Sequence, residues 1–204
     1  MKTGTARLTS ASGVRLVGER VEVRTIRPRD ARLVAAFLDR NKRFHQSWEP
    51  ARGIDYYSAG YQRRLLKQQR GDPSIRQFYG FLRNRREHSG IIASVTLSNI
   101  VRGAFQSAFL GYKMDEVFAR KGYMTECLRL VIRHAFTAER LHRLEANIMP
   151  ENEPSIRLVE GLGFRHEGTA LRYLEIQNAW RDHAHYALLA DEFETHRPRL
   201  TIVV

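Results

Sequence analysis

The segment from Gln106 to Phe136 constrains the fold of this chain more than any other. Gln106 to Met114 alternates as a β-strand does, and Met114 to Thr125 forms a loop carrying a single glycine. Met124, Cys127, Leu128, Val131, Ile132, Ala135 and Phe136 then recur at spacings of three and four, one apolar stripe of an amphipathic helix. Such a stripe is stable only against another apolar surface, and the strand just before it supplies a sheet. The chain is therefore read as an α/β structure in layers. Its 204 residues, 43% of them hydrophobic, are enough to bury a sizeable core in one domain.

The rest of the pattern agrees. Val21 to Ile26 reads as a strand, and Pro28-Arg29-Asp30 opens a helix with Leu33, Val34, Phe37 and Leu38 on one face. Asp55 to Gln69 reads as a second helix, with Arg63, Arg64, Lys67 and Arg70 interleaved among Tyr57, Tyr61, Leu65 and Leu66. Gln77 to Leu82, Gly90 to Leu97 and Gln106 to Met114 read as strands of an antiparallel meander, with turns at Asn84 to Ser89 and Asn99 to Gly103. After the central helix come a strand at Leu144 to Met149, a helix from Pro154 to Leu162, and strands at Thr169 to Ile176 and His183 to Leu189. The order is β-α-α-β-β-β-α-β-α-β-β. No repeat, low-complexity run or linker interrupts it, so a single domain over residues 1–204 is expected, with its core at 21–189.

Charge is spread unevenly. Residues 1–100 hold 20 Lys and Arg against 8 Asp and Glu, whereas residues 101–204 hold 14 against 14, so the net +12 belongs to the first half. Only 5 of the 34 basic residues are Lys, which is an arginine bias, but a bias does not explain the asymmetry. A basic half reads as a docking face for a polyanion such as RNA, a ribosome or an acidic peptide. The composition excludes disorder, collagen and coiled coil. No stretch approaches the roughly 18 apolar residues of a membrane span, and Met1-Lys2-Thr3-Gly4 lacks the apolar core of a signal peptide, so a cytoplasmic protein without membrane contact is expected. Cys127 is the single cysteine, so neither a disulfide nor a metal site is expected.

The loop from Met114 to Thr125 delivers the chain to a helix N-terminus, where unpaired N–H groups and the macrodipole favour an anion. Gly122 removes the Cβ that would block close approach, and Arg120 and Lys121 add charge. The Gly-Lys-Ser/Thr signature of a P-loop is absent. Strand, loop and helix together resemble the acetyl-CoA-binding core of the GNAT acetyltransferase superfamily, whose loop motif Gln/Arg-x-x-Gly-x-Gly/Ala falls on Ala119, Arg120, Lys121, Gly122, Tyr123 and Met124. Gly122 matches, while Ala119 and Met124 depart from the motif. Within that superfamily the chain is most similar to the RimJ/RimL-type ribosomal-protein N-terminal acetyltransferases, on the RimJ side. The similarity rests on Trp48-Glu49-Pro50, Ser98 to Gly103, Leu110-Gly111-Tyr112, Ala146 to Asn152, Gly161-Leu162-Gly163-Phe164 and Trp180-Arg181-Asp182-His183.

The resemblance implies the GNAT acyl-CoA N-acyltransferase fold, a mixed but mostly antiparallel twisted sheet flanked by about four helices. It implies acetyl-CoA as cosubstrate and the α-amino group of a ribosomal protein, with alanine first, as acceptor. The acceptor protein would be free or on the ribosome, the basic half contacting ribosomal RNA, and the enzyme a monomer or homodimer. Tyr112, Met114, Arg120, Lys121, Gly122, Tyr123, Met124, Thr125, Asn152 and Ser155 would bind acetyl-CoA. The Met114 N–H would polarise the carbonyl, Asn152 would bond the pantetheine arm and Ser155 would protonate the thiolate. Asn147 would stand where two parallel strands part and reach the acceptor or a water. For the base, Glu175 in Tyr173-Leu174-Glu175-Ile176, Glu49 between Trp48 and Pro50, and then Glu145 are the candidates. Asn152 is equally a plain helix cap.

An α-amino group of pKa about 7.7 to 8.0 is partly neutral at pH 7, whereas a lysine of about 10.4 is not, so an N-terminal acetyltransferase needs only a weak or water-relayed base. His134, His142, His166 and His183 lack ligand spacing and are assigned no role. Cys127 sits on the apolar stripe, which argues for packing and against an acetyl-enzyme. Two other functions remain open: a small-molecule amine N-acetyltransferase of the same fold, and a non-catalytic RNA-binding or assembly module.

Overall fold

The chain's alternating segments pair into one sheet, and its two long apolar stripes cover that sheet from opposite sides. The structure is a computed structural model and describes residues 13–84, 86 and 88–195. Met1 to Gly4, where no leader is expected, and the outermost residues of the expected domain lie outside the described residues.

In chain order the elements are β1 (Arg15–Val17), β2 (Val21–Arg24), α1 (Ala31–Arg40), α2 (Lys42–His45), α3 (Ala59–Gly71), β3 (Arg76–Leu82), β4 (Ala93–Val101), β5 (Ser107–Met114), α4 (Tyr123–Thr137), β6 (Arg143–Ile148), α5 (Glu153–Glu160), β7 (Arg165–Ile176), β8 (Ala179–Leu189) and α6 (Ala190–Thr195). The strands form one eight-stranded sheet in the order β1-β2-β3-β4-β5-β6-β8-β7. Every neighbouring pair is antiparallel except β5 and β6, which run parallel.

On one face, α4 lays Met124, Cys127, Leu128, Val131, Ile132 and Ala135 on the sheet, the stripe read from the sequence. Gly80 of β3 lets α4 come close, because a Cβ there would meet the Cys127 sulfur at 2.9 Å. On the other face, α1 buries Ala31, Val34, Ala35, Phe37 and Leu38 against Tyr79, Phe81 and Ile91, and Leu66 of α3 joins them. Each large apolar side chain among them contributes roughly 1.5–3 kcal/mol of burial free energy, so both helical layers are held firmly. The second layer packs on β3 and on Ile91 just before β4.

The fold agrees with the GNAT architecture expected, and the meander of β3, β4 and β5 is present. Six α-helices occur among the described residues rather than about four. The strand β1 and the helices α2 and α6 have no counterpart in the expected order, because three to six residues are too few to display a period. The second helix begins at Ala59 rather than Asp55, where a 3-10 turn at Ile54–Tyr57 precedes the Ser58 cap, whose Oγ accepts from the Tyr61 N–H. The strand expected at Gly90 to Leu97 runs instead to Val101, bulged between Ser98 and Val101 with Asn99 at φ 49°.

Candidate active site

The parallel pair β5 and β6 is joined only at Ser107 to Phe109 and Arg143 to Glu145. Beyond Phe109 each strand keeps its outer partner, β4 or β8, and the inner edges part. A cleft of about 830 Å³ opens there, with Leu110 to Met114 on one wall and Asn147, Ile148 and Met149 on the other.

Strand alternation divides the chemistry of this cleft between the two faces of the sheet. Tyr112 and Met114 pack toward the core under α4 and α5, while Gly111 and Lys113 face the α1 side. The Asp115 N–H bonds the Ile92 carbonyl at 2.8 Å, so Met114 turns its own backbone groups away from β4 and into the gap. Its carbonyl meets His45 Nε2 there at 2.7 Å.

At the α4 end the loop is set by Gly122, whose φ of +79° is the left-handed region that glycine enters without strain. Arg20 clamps the loop from the β1–β2 turn. Its guanidinium bonds the Lys121 carbonyl at 3.1 Å, pairs with Glu126 at 3.2 Å and lies 4.7 Å over the Tyr123 ring. Of the loop residues expected to bind, Arg120, Gly122, Met124 and Thr125 line the cleft, whereas Lys121 lies over the Phe118 ring and Tyr123 packs between Arg20 and the core. The first N–H groups of a 15-residue helix thus open on the cleft beside Arg120, a cradle suited to a pyrophosphate.

Across the gap, Asn152 caps α5 by accepting from the Ser155 N–H at 3.3 Å. The Tyr112 hydroxyl lies 2.6 Å from Ser155 Oγ and 3.2 Å from the Ser155 carbonyl, which joins β5 to α5 over the gap. Burial pushes the Tyr112 phenol up to about 12, with the Ser155 hydrogen bond opposing, so it stays protonated at any physiological pH.

The α1 side carries charge. Lys113 Nζ bonds Glu49 Oε2 at 2.6 Å, and His45 Nδ1 stands 3.8 Å from Glu49 Oε1. Burial lowers the pKa of both His45 and Lys113, partly countered for His45 by the Met114 carbonyl and for both by Glu49. Arg40 fixes the strand end by bonding Asp115 at 2.6 Å and the Ile91 carbonyl, and the Gln177 side chain holds the Glu49 carbonyl at 3.0 Å. On the opposite wall, Asn147 Nδ2 reaches the Tyr173 hydroxyl at 3.4 Å while its Oδ1 is buried without a partner. His183 lines the cleft beside it, its pKa lowered chiefly by burial.

Glu49, Tyr112, Met114, Asn147, Asn152 and Ser155 therefore meet in one cleft with the loop residues. Glu175 does not join them; it lies exposed on β7 opposite Trp180. Glu145 is engaged by Arg143 at 2.8 Å below the point where the strands part. Cys127 is buried away from the cleft, its thiol pushed up to about 12 by burial. His45, Lys113 and His183, to which the sequence pattern gives no role, also line the cleft. The four-residue spacing of His45 and Glu49 was the available signal for the first, and strand alternation in β8 for the last.

The acetyltransferase (GNAT) domain family matches residues 20–165. The chain is 37% identical over 185 residues to the [ribosomal protein uS5]-alanine N-acetyltransferase of Escherichia coli, covering 90% of this chain and 95% of that one. It is 35% identical over 179 residues to the probable N-acetyltransferase YjcK of Bacillus subtilis, covering 88% and 99%. Among solved structures, the ribosomal-protein-S5-alanine acetyltransferase of Vibrio fischeri superposes with a TM-score of 0.81 at 32% identity, over 88% of this chain and 98% of that one. Mycobacterium smegmatis RimJ, solved with CoA-disulfide, gives 0.78 at 31% identity over 88% of each chain. With a cleft of this form between its parting strands, the chain belongs to the GNAT family of N-acetyltransferases.

Proposed function

We propose that this chain transfers the acetyl group of acetyl-CoA to the α-amino group of a ribosomal protein whose first residue is alanine, by direct attack in a ternary complex. The observation that carries this reading is the parting of β5 from β6, which joins an anion cradle at α4 to a carboxylate-bearing pocket on the α1 side within one cleft. The names of the E. coli and V. fischeri relatives support the acceptor class.

Acetyl-CoA supplies an activated carbonyl and a thiol leaving group. Gly122, Arg120 and the first N–H groups of α4 hold its pyrophosphate, and the Asn152 amide bonds its pantetheine arm. The Met114 N–H, turned into the gap, polarises the carbonyl. The Tyr112–Ser155 hydroxyl pair donates the proton that the departing thiolate needs, Tyr112 being protonated throughout the working range. Glu49, held by Lys113, receives the substrate ammonium. Because an α-amine is already partly neutral, a water beside Glu49 suffices to carry the proton away. Glu49 takes the acceptor role in preference to Glu175 because it lines the cleft.

The outer helical layer supports a contact with ribosomal RNA. Arg63, Arg64, Lys67 and Arg70 lie on α3, a helix without a single acid, and Arg27, Arg29 and Arg32 lie on and just before α1, which packs against it. These groups stand on the acceptor side of the sheet, where they would steer the enzyme to substrate in a cytoplasmic ribosome. Among the described residues no helix is long and apolar enough to cross a membrane.

Intact-mass spectrometry of the small-subunit ribosomal proteins, free and assembled, after incubation with enzyme and acetyl-CoA tests the reading. A single N-terminal acetyl on one protein is the expected result. No acetylation, with acetyl-CoA binding verified in the same sample, would leave the fold without this function.

A further inference from the structure

Two strand glycines in this sheet invite comparison. Gly80 has a packing reason, since a Cβ would strike Cys127 Sγ at 2.9 Å and the Ala93 Cβ at 3.1 Å. Gly111 has none: its φ lies outside the left-handed region and a Cβ there would meet nothing within 4 Å. A glycine inside a strand weakens it, so one that neither packing nor backbone conformation requires points to something that occupies the space above it.

The direction of that space follows from register. Gly111 alternates with Tyr112, so its missing side chain would project with Lys113 toward the α1 side, where Lys113 holds Glu49. The β5–β6 register pairs Ser107 with Arg143 and Phe109 with Glu145, and carried two residues further it sets Gly111 level with Asn147 across the gap. Gly111 is exposed and lines the same cleft as Asn147 and Glu49.

We infer that bare backbone at Gly111 is the floor on which the first side chain of the acceptor rests, and that the absence of a side chain there sets how large that first residue can be. This rests on the amine-acceptor reading above. With the ammonium at Glu49, on the side to which residue 111 projects, the substituent on the carbon that bears it lies over residue 111. A methyl added to the floor at Gly111 competes with the methyl of an alanine but not with the hydrogen of a glycine. Methyl-sized differences in such pockets are worth about tenfold or more in selectivity.

The test compares wild type, Gly111→Ala and Gly111→Val on peptides that differ only in a first residue of Gly, Ala, Ser or Val, reading kcat/KM for each, with thermal unfolding alongside. The expected result is a fall of about tenfold or more in the alanine-to-glycine preference for Gly111→Ala, a further fall for Gly111→Val, and a thermal midpoint for Gly111→Ala at or above wild type. Equal losses on all four peptides, or an unchanged preference, overturn the inference while leaving the amine-acceptor reading intact. A wild type that acetylates none of the peptides overturns both.

Discussion

Lys113 Nζ lies 2.6 Å from Glu49 Oε2, so a strand of the central sheet and the turn after α2 are tied together on the α1 side of the cleft by a largely buried ion pair. The pair holds the Glu49 carboxylate in place, and Glu49 in turn opposes the lowering of the Lys113 pKa that burial causes. Glu49→Gln should therefore raise the acceptor KM by about tenfold to a hundredfold, the range of a hydrogen bond to a charged group, with the acetyl-CoA KM unmoved. Glu175→Gln should leave both values and the pH-rate profile as they are. The reverse pattern in steady-state kinetics would move the acceptor role to β7. Stranding Lys113 should also cost about 1–3 kcal/mol in urea unfolding.

Tyr112→Phe should lower kcat by about a hundredfold, the usual loss on removing a general acid, with little change in either KM. Ser155→Ala should do less, because Tyr112 keeps its own proton. Rates measured with a thiol-trapping reagent decide it, and an unchanged kcat for Tyr112→Phe would exclude the hydroxyl pair as the proton source.

Gly122→Ala should raise the acetyl-CoA KM without altering acceptor preference. The alanine must adopt φ +79°, at roughly 1–2 kcal/mol, and its Cβ would come within 3.1 Å of the Arg20 guanidinium. Arg20→Ala should produce the same phenotype more weakly by releasing the Lys121 carbonyl and Glu126. Isothermal titration with CoA separates this effect from any change in turnover.

Stability should fall with acid from neutrality downward. Burial holds His45, His134 and His183 below the usual imidazole pKa. Below about pH 6.5 the unfolded chain takes up protons that these folded histidines refuse, so their contribution is present above that pH and is lost as pH falls through their folded values. Each adds a slope of at most about 1.4 kcal/mol per pH unit. Urea midpoints from pH 7 to pH 5 should decline, and His45→Gln should flatten the decline; a rising midpoint would contradict the assignment.

Replacing Arg63, Arg64, Lys67 and Arg70 by Gln should weaken binding to ribosomal RNA at all sequences alike and make the dependence of log K on log salt shallower, by about 0.7 to 0.9 for each phosphate no longer neutralised. Acetylation of a free peptide should be unaffected. Filter binding across a salt series gives the slope, and an unchanged slope would place the RNA-binding face elsewhere or nowhere.

The stripe of α4, the glycine loop before it and the Asn152 cap of α5 were legible in the sequence because each is written in residues a few positions apart. The short elements β1, α2 and α6 were not, since one helical turn or three strand residues leave no period to detect. Among candidate bases, Glu175 and Glu49 were indistinguishable as letters. A carboxylate's use depends on which cavity it meets, and strand β7 carries Glu175 to an exposed position while the turn after α2 carries Glu49 to the cleft.

By itself the sequence determined the layered α/β fold, the family and the glycine-led start of α4, because hydrophobic period, glycine and cap act locally on the backbone. Only the tertiary structure decided where β5 and β6 stop pairing, that Glu49 meets Lys113 while Tyr112 meets Ser155, and that Gly111 and Asn147 border one cleft. Those relationships depend on register between strands and on which helix covers which half of a sheet face, and both are settled by packing between segments far apart in the chain.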